Sequence, residues 1–319
     1  MMYQGILPFA CTDAIHLKSF DRIMKTPLLT FVLALLALSP VTSWGDSFQV
    51  ASNLTTFGLS VAADAEGDFV VVWDKSGGDG NGYGIFARLF DKTGNPRGSD
   101  FQVNTYSIGD QQNPAVAMSS NGNFIVVWES NGEDGSGLGV FARRYGAAGQ
   151  PLGGGFQVNT TTNGNQITPR VTMDAAGESA IVWESGRIFA QRYGANGQRL
   201  SGEFQVDSGT GVGVAYPDVV MSDLGAFLVV WQRYDGGSAT SVRAHAFSNS
   251  GAGTGIELLI GNGTLDLFPR IDMDAGGNFV VAWKSIDSTY ARLFNADSPD
   301  GFRSVKLQNQ VVHVGHLLY

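Results

Sequence analysis

Short runs of apolar residues recur along the chain, and each run ends at a tryptophan. Runs such as FVVVW (69–73), FIVVW (124–128) and FLVVW (227–231) are apolar at every position rather than at every second one. A strand of this kind is typically buried on both faces. The tryptophans follow one another at intervals of 48 to 55 residues, at Trp73, Trp128, Trp183, Trp231 and Trp283. A period of this length with self-similar content indicates a repeat architecture.

Other residues keep a constant distance from these tryptophans. A proline precedes four of them by fourteen residues, at Pro114, Pro169, Pro217 and Pro269, with Leu59 in the first unit. A glycine precedes all five by six residues, at Gly67, Gly122, Gly177, Gly225 and Gly277, where we expect a tight turn. The units open with FQV or a relative of it, at Phe48, Phe101, Phe156, Phe204 and Glu257. They close with segments such as FARLF (86–90), so each unit is predicted to contain four short strands.

The strand that is apolar throughout decides the predicted fold. Strands joined by short turns form antiparallel sheets, and a sandwich of two sheets would leave one face of each sheet in water. Blades stacked around a common axis cover both faces of their interior strands. We therefore predict an all-β fold, a β-propeller of about five four-stranded antiparallel blades.

Ring closure has two alternatives at the sequence level. The outer strand of the last blade could come from FQV (48–50) or from SVKL (304–307), which compete for one place. Five blades could close the ring, or the tail could begin further blades of a ring of six or seven.

The repeated units resemble those of a known group of proteins. FQVNT (101–105), P-x-V-x-M (114–118) and G-x-F-x-V-V-W (122–128) are similar to a repeat of secreted bacterial proteins that look like propellers and are mostly uncharacterised. The resemblance covers nearly all of the chain after residue 45 and implies a propeller fold, but no activity. The chain departs from the pattern at Leu59 and Ser179, and its fifth unit lacks FQV.

The N-terminal segment has the pattern of a targeting signal. Lys25 precedes the apolar run Leu28 to Leu38, and small residues follow at Ser43 and Gly45. Such a run is too short to span a bilayer. We predict an N-terminal extension and signal peptide over 1–45, with the signal at about 24–45. A propeller over 46–302 and an irregular tail over 303–319, which could be a truncated repeat, would follow. The protein is expected to be secreted, periplasmic or extracellular, with no membrane insertion after cleavage.

The charge of the chain argues against two classes of partner. It has 20 Lys and Arg against 29 Asp and Glu, a formal net charge of −9. Nucleic acids and anionic lipid surfaces bind clustered cations, so neither is expected as a partner. A monomer is expected.

Two groups of polar residues are candidates for a ligand site. The residue after each tryptophan should face the loop side, which places three carboxylates on consecutive blades: Asp74, Glu129 and Glu184. They could bind a cation or the hydroxyl groups of a ligand, or be solvated strand ends copied with the repeat. The second group lies on inner strands beside the expected channel: Arg170, Asp218, Arg270 and Asp272. These could bind a ligand, or pair with one another because buried charges must be paired.

Two loops contain the residue types of a calcium site. SGGDGNG (76–82) and SNGEDGSG (130–137) alternate Asp, Asn and Gly, which supply oxygen ligands. Neither loop has EF-hand spacing, and long hairpin turns need the same residues. We therefore predict no metal site and no cofactor, with calcium as a weak alternative.

The sequence favours binding over catalysis. It contains no G-x-S-x-G, H-E-x-x-H or phosphate-loop motif. The leading prediction is an exported, non-catalytic propeller that binds a glycan or a protein through its loop face or channel mouth, with aromatic stacking surfaces at Tyr106, Tyr216, Tyr234 and Phe268. A glycoside hydrolase or lyase would use Asp218 and Asp272 as its carboxylate pair. A structural cell-surface repeat protein would bind no small ligand.

Overall fold

The described part of the chain consists of five small β-sheets. The computed structural model describes residues 47–51, 58–209, 212–261, 265–286, 288–295 and 303–305. Twenty strands form five four-stranded sheets in these ranges, which confirms the predicted all-β propeller of about five blades. The predicted signal at 24–45 and the tail beyond residue 305 lie outside the described residues.

Each blade is formed by four consecutive antiparallel strands, numbered from the axis outward. Blade 1 contains β1 (Leu59–Ala63), β2 (Phe69–Ser76), β3 (Tyr83–Phe90) and β4 (Phe101–Gln102). Blade 2 contains β5 (Gln111–Met118), β6 (Phe124–Asn131), β7 (Leu138–Tyr145) and β8 (Phe156–Gln157). Blade 3 contains β9 (Ile167–Met173), β10 (Ser179–Glu184), β11 (Ile188–Tyr193) and β12 (Phe204–Gln205). Blade 4 contains β13 (Gly213–Met221), β14 (Phe227–Gly236), β15 (Ala239–Phe247) and β16 (Gly253–Gly261). Blade 5 contains β17 (Leu267–Met273), β18 (Phe279–Ser285), β19 (Ser288–Asn295) and β20 (Arg303–Val305).

The second strand of each blade carries the core. In β6, Val126 and Trp128 pack towards blade 1, while Ile125 and Val127 pack towards blade 3. All four side chains are buried. Successive side chains of a strand point to opposite faces, so a strand between two neighbouring blades must be apolar at every position. The predicted burial on both faces is confirmed for this strand.

The repeated glycine makes the turn between the first and second strand of every blade. Gly67, Gly122, Gly177, Gly225 and Gly277 have φ between 79° and 92°. Side-chain-bearing residues rarely adopt this left-handed conformation. A Cβ atom on Gly122 would also lie 2.9 Å from the Cβ atom of Ala147. The constant spacing of this glycine therefore follows from turn geometry.

The five blades form an open arc in the described part of the chain. The inner strands of consecutive blades pack side by side from β1 to β17, but β17 and β1 do not make the corresponding contact among the described residues. The two end faces are accordingly exposed. Val61 in β1 is 51% exposed, while the equivalent Val116 and Val219 are 7% and 5% exposed. Ala291 in β19 is exposed, while the equivalent Ala142 is fully buried.

The last blade takes its outer strand from the C-terminal side of the chain. Arg303–Val305 pairs antiparallel with β19, which resolves the choice between the two predicted segments. The blade therefore extends past residue 302, the predicted boundary of the propeller.

The FQV segment at 48–50 packs on blade 1 in the manner of an outer strand. The ring centroids of Phe48 and Phe90 are 5.4 Å apart. The Val50 carbonyl accepts a hydrogen bond from Nη1 of Arg88 at 3.2 Å. Phe101 of outer strand β4 and the carbonyl of Val103, which directly follows β4, make the same two kinds of contact with blade 2. The segment thus covers part of the open face of blade 1, including Trp73.

The ranges described in the structure contain no helix with the length and apolar character that crossing a membrane requires.

Candidate functional site

A β-bulge at the start of each inner strand shapes the loop face of blades 2 to 5. In β5, Asn113 and Pro114 together lie opposite Trp128, and the register shifts at this point. The other three inner strands shift at the same position. The residue before the proline has a positive φ of 51° to 54° in all four: Asn113, Thr168, Tyr216 and Phe268. A residue before proline normally adopts an extended conformation, so surrounding contacts must hold this one in place.

In blades 1 to 4, the side chain after the tryptophan supplies that contact to the following blade. The backbone N–H of Thr168 donates to Oε1 of Glu129 at 2.6 Å. The N–H of Phe268 donates to Oε1 of Gln232 at 3.3 Å, and the N–H of Asn113 to Oδ2 of Asp74 at the same distance. Glu184 accepts from the backbone of Tyr216 in the same way. We call these four hydrogen bonds the inter-blade clasps.

The clasps account for the three carboxylates that the sequence placed on the loop side. Asp74 and Glu129 are buried rather than solvated strand ends. Glu129 accepts a second hydrogen bond, from Nδ2 of Asn113 at 2.9 Å. Burial raises the pKa of Glu129, although the hydrogen bonds from Thr168 and Asn113 oppose the shift. Burial likewise raises the pKa of Glu184. The described contacts of these carboxylates hold neighbouring blades together.

The charged residues of the inner strands meet only in part. Arg170, Asp218 and Arg270 line one cavity of about 400 Å³ at the axis. Asp272 does not line this cavity. Ile271 packs between blades 4 and 5, so its two neighbours Arg270 and Asp272 both lie on the other face of β17, the open face of blade 5. Of these two side chains, only that of Arg270 lines the cavity.

The predicted mutual pairing of the axial charges is not observed within the described residues. No nitrogen of Arg170 or Arg270 is within 4.0 Å of a carboxylate oxygen of Asp218. The Asp218 oxygens accept from the backbone N–H groups of Ile271 and Val219 instead, both at 3.1 Å. Burial raises the pKa of Asp218, while the two guanidinium groups act to lower it.

The two Asp- and Gly-rich loops use their carboxylates for local turns. Oδ1 of Asp79 accepts from the N–H of Asn81 at 3.3 Å, and Oδ1 of Asp134 accepts from the N–H of Ser136 at 3.0 Å. These are Asx turns of the kind that such sequences form without a cation. Across the described ranges, no three His, Cys, Asp or Glu residues cluster in a way that could hold a metal ion.

An aromatic pocket of about 280 Å³ lies on the loop face between blades 4 and 5. Its aromatic lining is Tyr216, Tyr234 and Phe268. The rings of Tyr216 and Phe268 meet edge to face with centroids 4.7 Å apart. Tyr234 and Phe268 are each 40% exposed. Burial raises the pKa of Tyr234, and the nearby Tyr216 and Glu184 add to the shift.

The bulges explain how this pocket arises. Tyr216 and Phe268 are the residues before the proline in β13 and β17, where blades 2 and 3 have Asn113 and Thr168. The same β-bulge therefore carries an aromatic side chain in blades 4 and 5 only. Tyr106, the fourth aromatic residue expected to form a stacking surface, lies outside the pocket lining.

Polar groups complete the pocket and were in part missed by sequence reasoning. Gln232 and Thr240 are buried at its base. Gln232 follows Trp231 and could be located by the repeat. Thr240 lies at the start of β15, where the repeat units differ in length, so no sequence signal marked it.

Comparisons with known proteins concern the fold. No protein-family model matches the chain. No curated protein matches it. A protein of unknown function from Dyadobacter fermentans is similar in structure, with 10% identity over 81% of this chain and 84% of that chain, and a TM-score of 0.56. The β-propeller domain of the Trilobed protease from Pyrococcus furiosus has 8% identity over 80% and 72% of the chains, with a TM-score of 0.47. A thermostable family-43 glycoside hydrolase has 10% identity over 83% and 97%, with a TM-score of 0.45. At such identities these structures are similar in fold alone.

Proposed function

We propose that the protein is an exported, non-catalytic propeller that binds a glycan, with one sugar ring seated in the aromatic pocket. The observation that carries this proposal is the convergence of Tyr216, Tyr234 and Phe268 on one cavity of the loop face. Aromatic rings bury the apolar face of a ligand, and tyrosine hydroxyls bond its polar edge. A concave site with an apolar lining and a few polar groups is the usual form of a small-ligand site.

The size and charge of the pocket support a single neutral ring as the bound unit. A volume of about 280 Å³ is just below the usual range of ligand pockets, so the pocket has room for a small unit only. Glu184 lies close enough to Tyr234 to influence its pKa. A negative charge at this distance disfavours an anionic ligand and leaves a neutral or cationic one.

Export is part of the proposal and depends on the sequence at 24–45. Lys25, the apolar run that follows and the small residues before Asp46 match the parts of a secretory signal. A glycan-binding role is consistent with an extracellular or periplasmic location.

The alternative of a glycoside hydrolase or lyase needs two carboxylates that reach one bond. Asp218 lines the axial cavity, while Asp272 does not. The structure therefore does not bring together the carboxylate pair that the sequence suggested.

The proposal can be tested by a glycan array, followed by calorimetric titration of the best ligand against matched variants. Tyr234→Ala removes one wall of the pocket. Phe268→Asn removes the other and introduces a residue that adopts the same positive φ at Asn113. We expect each variant to weaken binding by roughly tenfold or more. Tyr106→Ala, which alters an aromatic residue outside the pocket, should leave affinity unchanged.

Two results would contradict the proposal. Absence of binding across the array would favour a structural repeat protein. Cleavage of a bound glycan, with loss of turnover in Asp218→Asn, would favour the enzyme.

A further inference from the structure

The axial cavity is distinct from the aromatic pocket and has a different chemistry. It has a volume of about 400 Å³ and is lined by Arg170, Asp218 and Arg270, from three consecutive blades. These residues occupy the same position of the inner strand, one residue after the proline. Blades 1 and 2 have the uncharged Ser60 and Ala115 at this position, and both also line the cavity. Two cations and one anion therefore face a space to which the other two blades add no charge.

Neither guanidinium group is neutralised by a direct ion pair. Nη1 of Arg170 donates to the Pro169 carbonyl at 2.8 Å, and Nη1 of Arg270 to the Pro269 carbonyl at 3.0 Å. Among the described residues, the structure records no hydrogen bond or salt bridge for their other nitrogens. These bonds to proline carbonyls hold both side chains at the cavity wall and leave the remaining N–H groups free to donate.

The nearby carboxylates are occupied elsewhere. Both oxygens of Asp218 accept backbone N–H groups. The charge of Glu129 also acts on the pKa of Arg170, but its carboxylate accepts hydrogen bonds from Thr168 and Asn113. The two guanidinium groups are close enough that Arg270 lowers the pKa of Arg170, in addition to the effect of burial. An anion placed between them would relieve this repulsion.

We propose that the axial cavity is a binding site for a small carboxylate, which accepts hydrogen bonds from the free N–H groups of Arg170 and Arg270. Arginine forms paired, charge-assisted hydrogen bonds with carboxylates and keeps its charge at all physiological pH values. Gly58 and Ala115 lack bulky side chains at the cavity lining, which leaves room for the body of the ligand. Asp218 accepts a hydrogen bond from the backbone of Ile271 in β17 and offsets part of the positive charge of the two guanidinium groups.

The test is calorimetric titration of the full chain with galacturonate, acetate and uncharged galactose. We expect galacturonate and acetate to bind, with an affinity that falls as salt increases, and galactose to leave the cavity empty. Arg170→Gln and Arg270→Gln should each weaken galacturonate binding by roughly tenfold or more, because each removes a charged donor. Arg97→Gln, which alters an arginine paired with Asp68 on the surface, is the matched control.

The folded state of each variant is checked by circular dichroism, and Arg170→Lys and Arg270→Lys provide milder changes. The lysine variants should bind more weakly than the native chain but more tightly than the glutamine variants. The comparison of galacturonate with galactose is made in Tyr234→Ala, in which the aromatic pocket is disabled. Equal binding of the two sugars in that variant, or no binding of either carboxylate, would overturn the proposal. Galacturonate binding that persists in Tyr234→Ala but is lost in Arg270→Gln separates this site from the aromatic pocket.

Discussion

At the scale of single residues, the inter-blade clasps are the feature that the repeat preserves most clearly. In four blades, the residue after the tryptophan has a side-chain oxygen that accepts a hydrogen bond from a backbone N–H of the next blade. The acceptor is Asp74, Glu129, Glu184 or Gln232, so an acceptor oxygen is required and a charge is not. Within the described ranges no blade follows blade 5, and Lys284, which has no acceptor oxygen, stands at this position there.

Glu129 offers a direct test of this requirement. Glu129→Ala leaves the N–H of Thr168 without its acceptor in a buried site, and we expect a loss of about 1–3 kcal/mol of unfolding free energy. Glu129→Gln keeps an acceptor oxygen, as Gln232 does in blade 4. Its unfolding free energy at pH 7 should be close to that of the native chain. Urea denaturation of both variants measures the difference. Equal losses would show that the charge itself is needed.

The pH dependence of stability provides a second readout of the same prediction. Burial raises the folded-state pKa of Glu129 above its ordinary value of 4.5. Above pH 4.5 the unfolded chain therefore releases this proton before the folded chain does, which lowers stability as the pH rises through the interval up to the folded-state pKa. Glu129→Gln has no carboxyl at this position and therefore lacks this pH-dependent loss of stability. Its stability relative to the native chain should increase from pH 4 to neutral pH, and a constant difference would contradict the expectation.

At the scale of the element, the β-bulge places one side chain of the inner strand on the loop face. The proline has no N–H for the ladder and is tolerated at a bulge. The residue before it takes a positive φ, and its N–H enters the clasp. In blades 4 and 5 this position places Tyr216 and Phe268 on the loop face. The bulge that shapes the inner strand therefore also forms the aromatic pocket.

The cost of the bulge conformation can be measured at Thr168. Its φ is 51°, which is unfavourable for any residue with a Cβ atom and most of all for a β-branched one. Thr168→Gly and Thr168→Ala both remove the hydroxyl and the methyl group, and they differ in backbone freedom. We expect the glycine variant to be more stable than the alanine variant by up to about 1 kcal/mol in thermal or urea denaturation. An alanine variant of higher stability would show that Thr168 is not held in this conformation in solution.

At the scale of the whole molecule, the described chain is an arc whose two ends are shielded differently. Phe48 and Val50 cover the open face of blade 1. The open face of blade 5 carries Asp272 where the equivalent residue of blade 4 is Val220. Terminal repeats with a polar outer face are a general feature of repeat proteins, because no neighbour buries that face.

The open end can be tested with one substitution made at two equivalent positions. Ala142→Asp places a carboxylate in the fully buried interface of blades 2 and 3, and should cost about 3 kcal/mol or more. Ala291→Asp places the same group on the exposed face of blade 5, and should change the unfolding free energy by about 0.5 kcal/mol at most. Urea denaturation compares the two. A large loss for Ala291→Asp would mean that this face is covered in solution.

Some features follow from the sequence alone because they repeat and depend on local rules. The runs ending at Trp73, Trp128 and their equivalents predicted strands buried on both sides. The glycine six residues earlier predicted the turn, which is confirmed in all five blades. Burial on both sides is confirmed for the strands of blades 1 to 4, while Val280 and Ala282 on the open face of blade 5 are only half-buried. Tyr216, Tyr234 and Phe268 could be named as exposed aromatic candidates in advance, although not as parts of one pocket.

Other features were decided by the tertiary structure, because they depend on which blade meets which. The sequence placed Asp74, Glu129 and Glu184 on the loop side, but only the packed blades show that their oxygens hold the next inner strand. It grouped Asp218 with Asp272, and the packed blades place only Asp218 at the axial cavity. Local rules determined the blade; contacts between segments far apart in the chain determined the cavities, the clasps and the open arc.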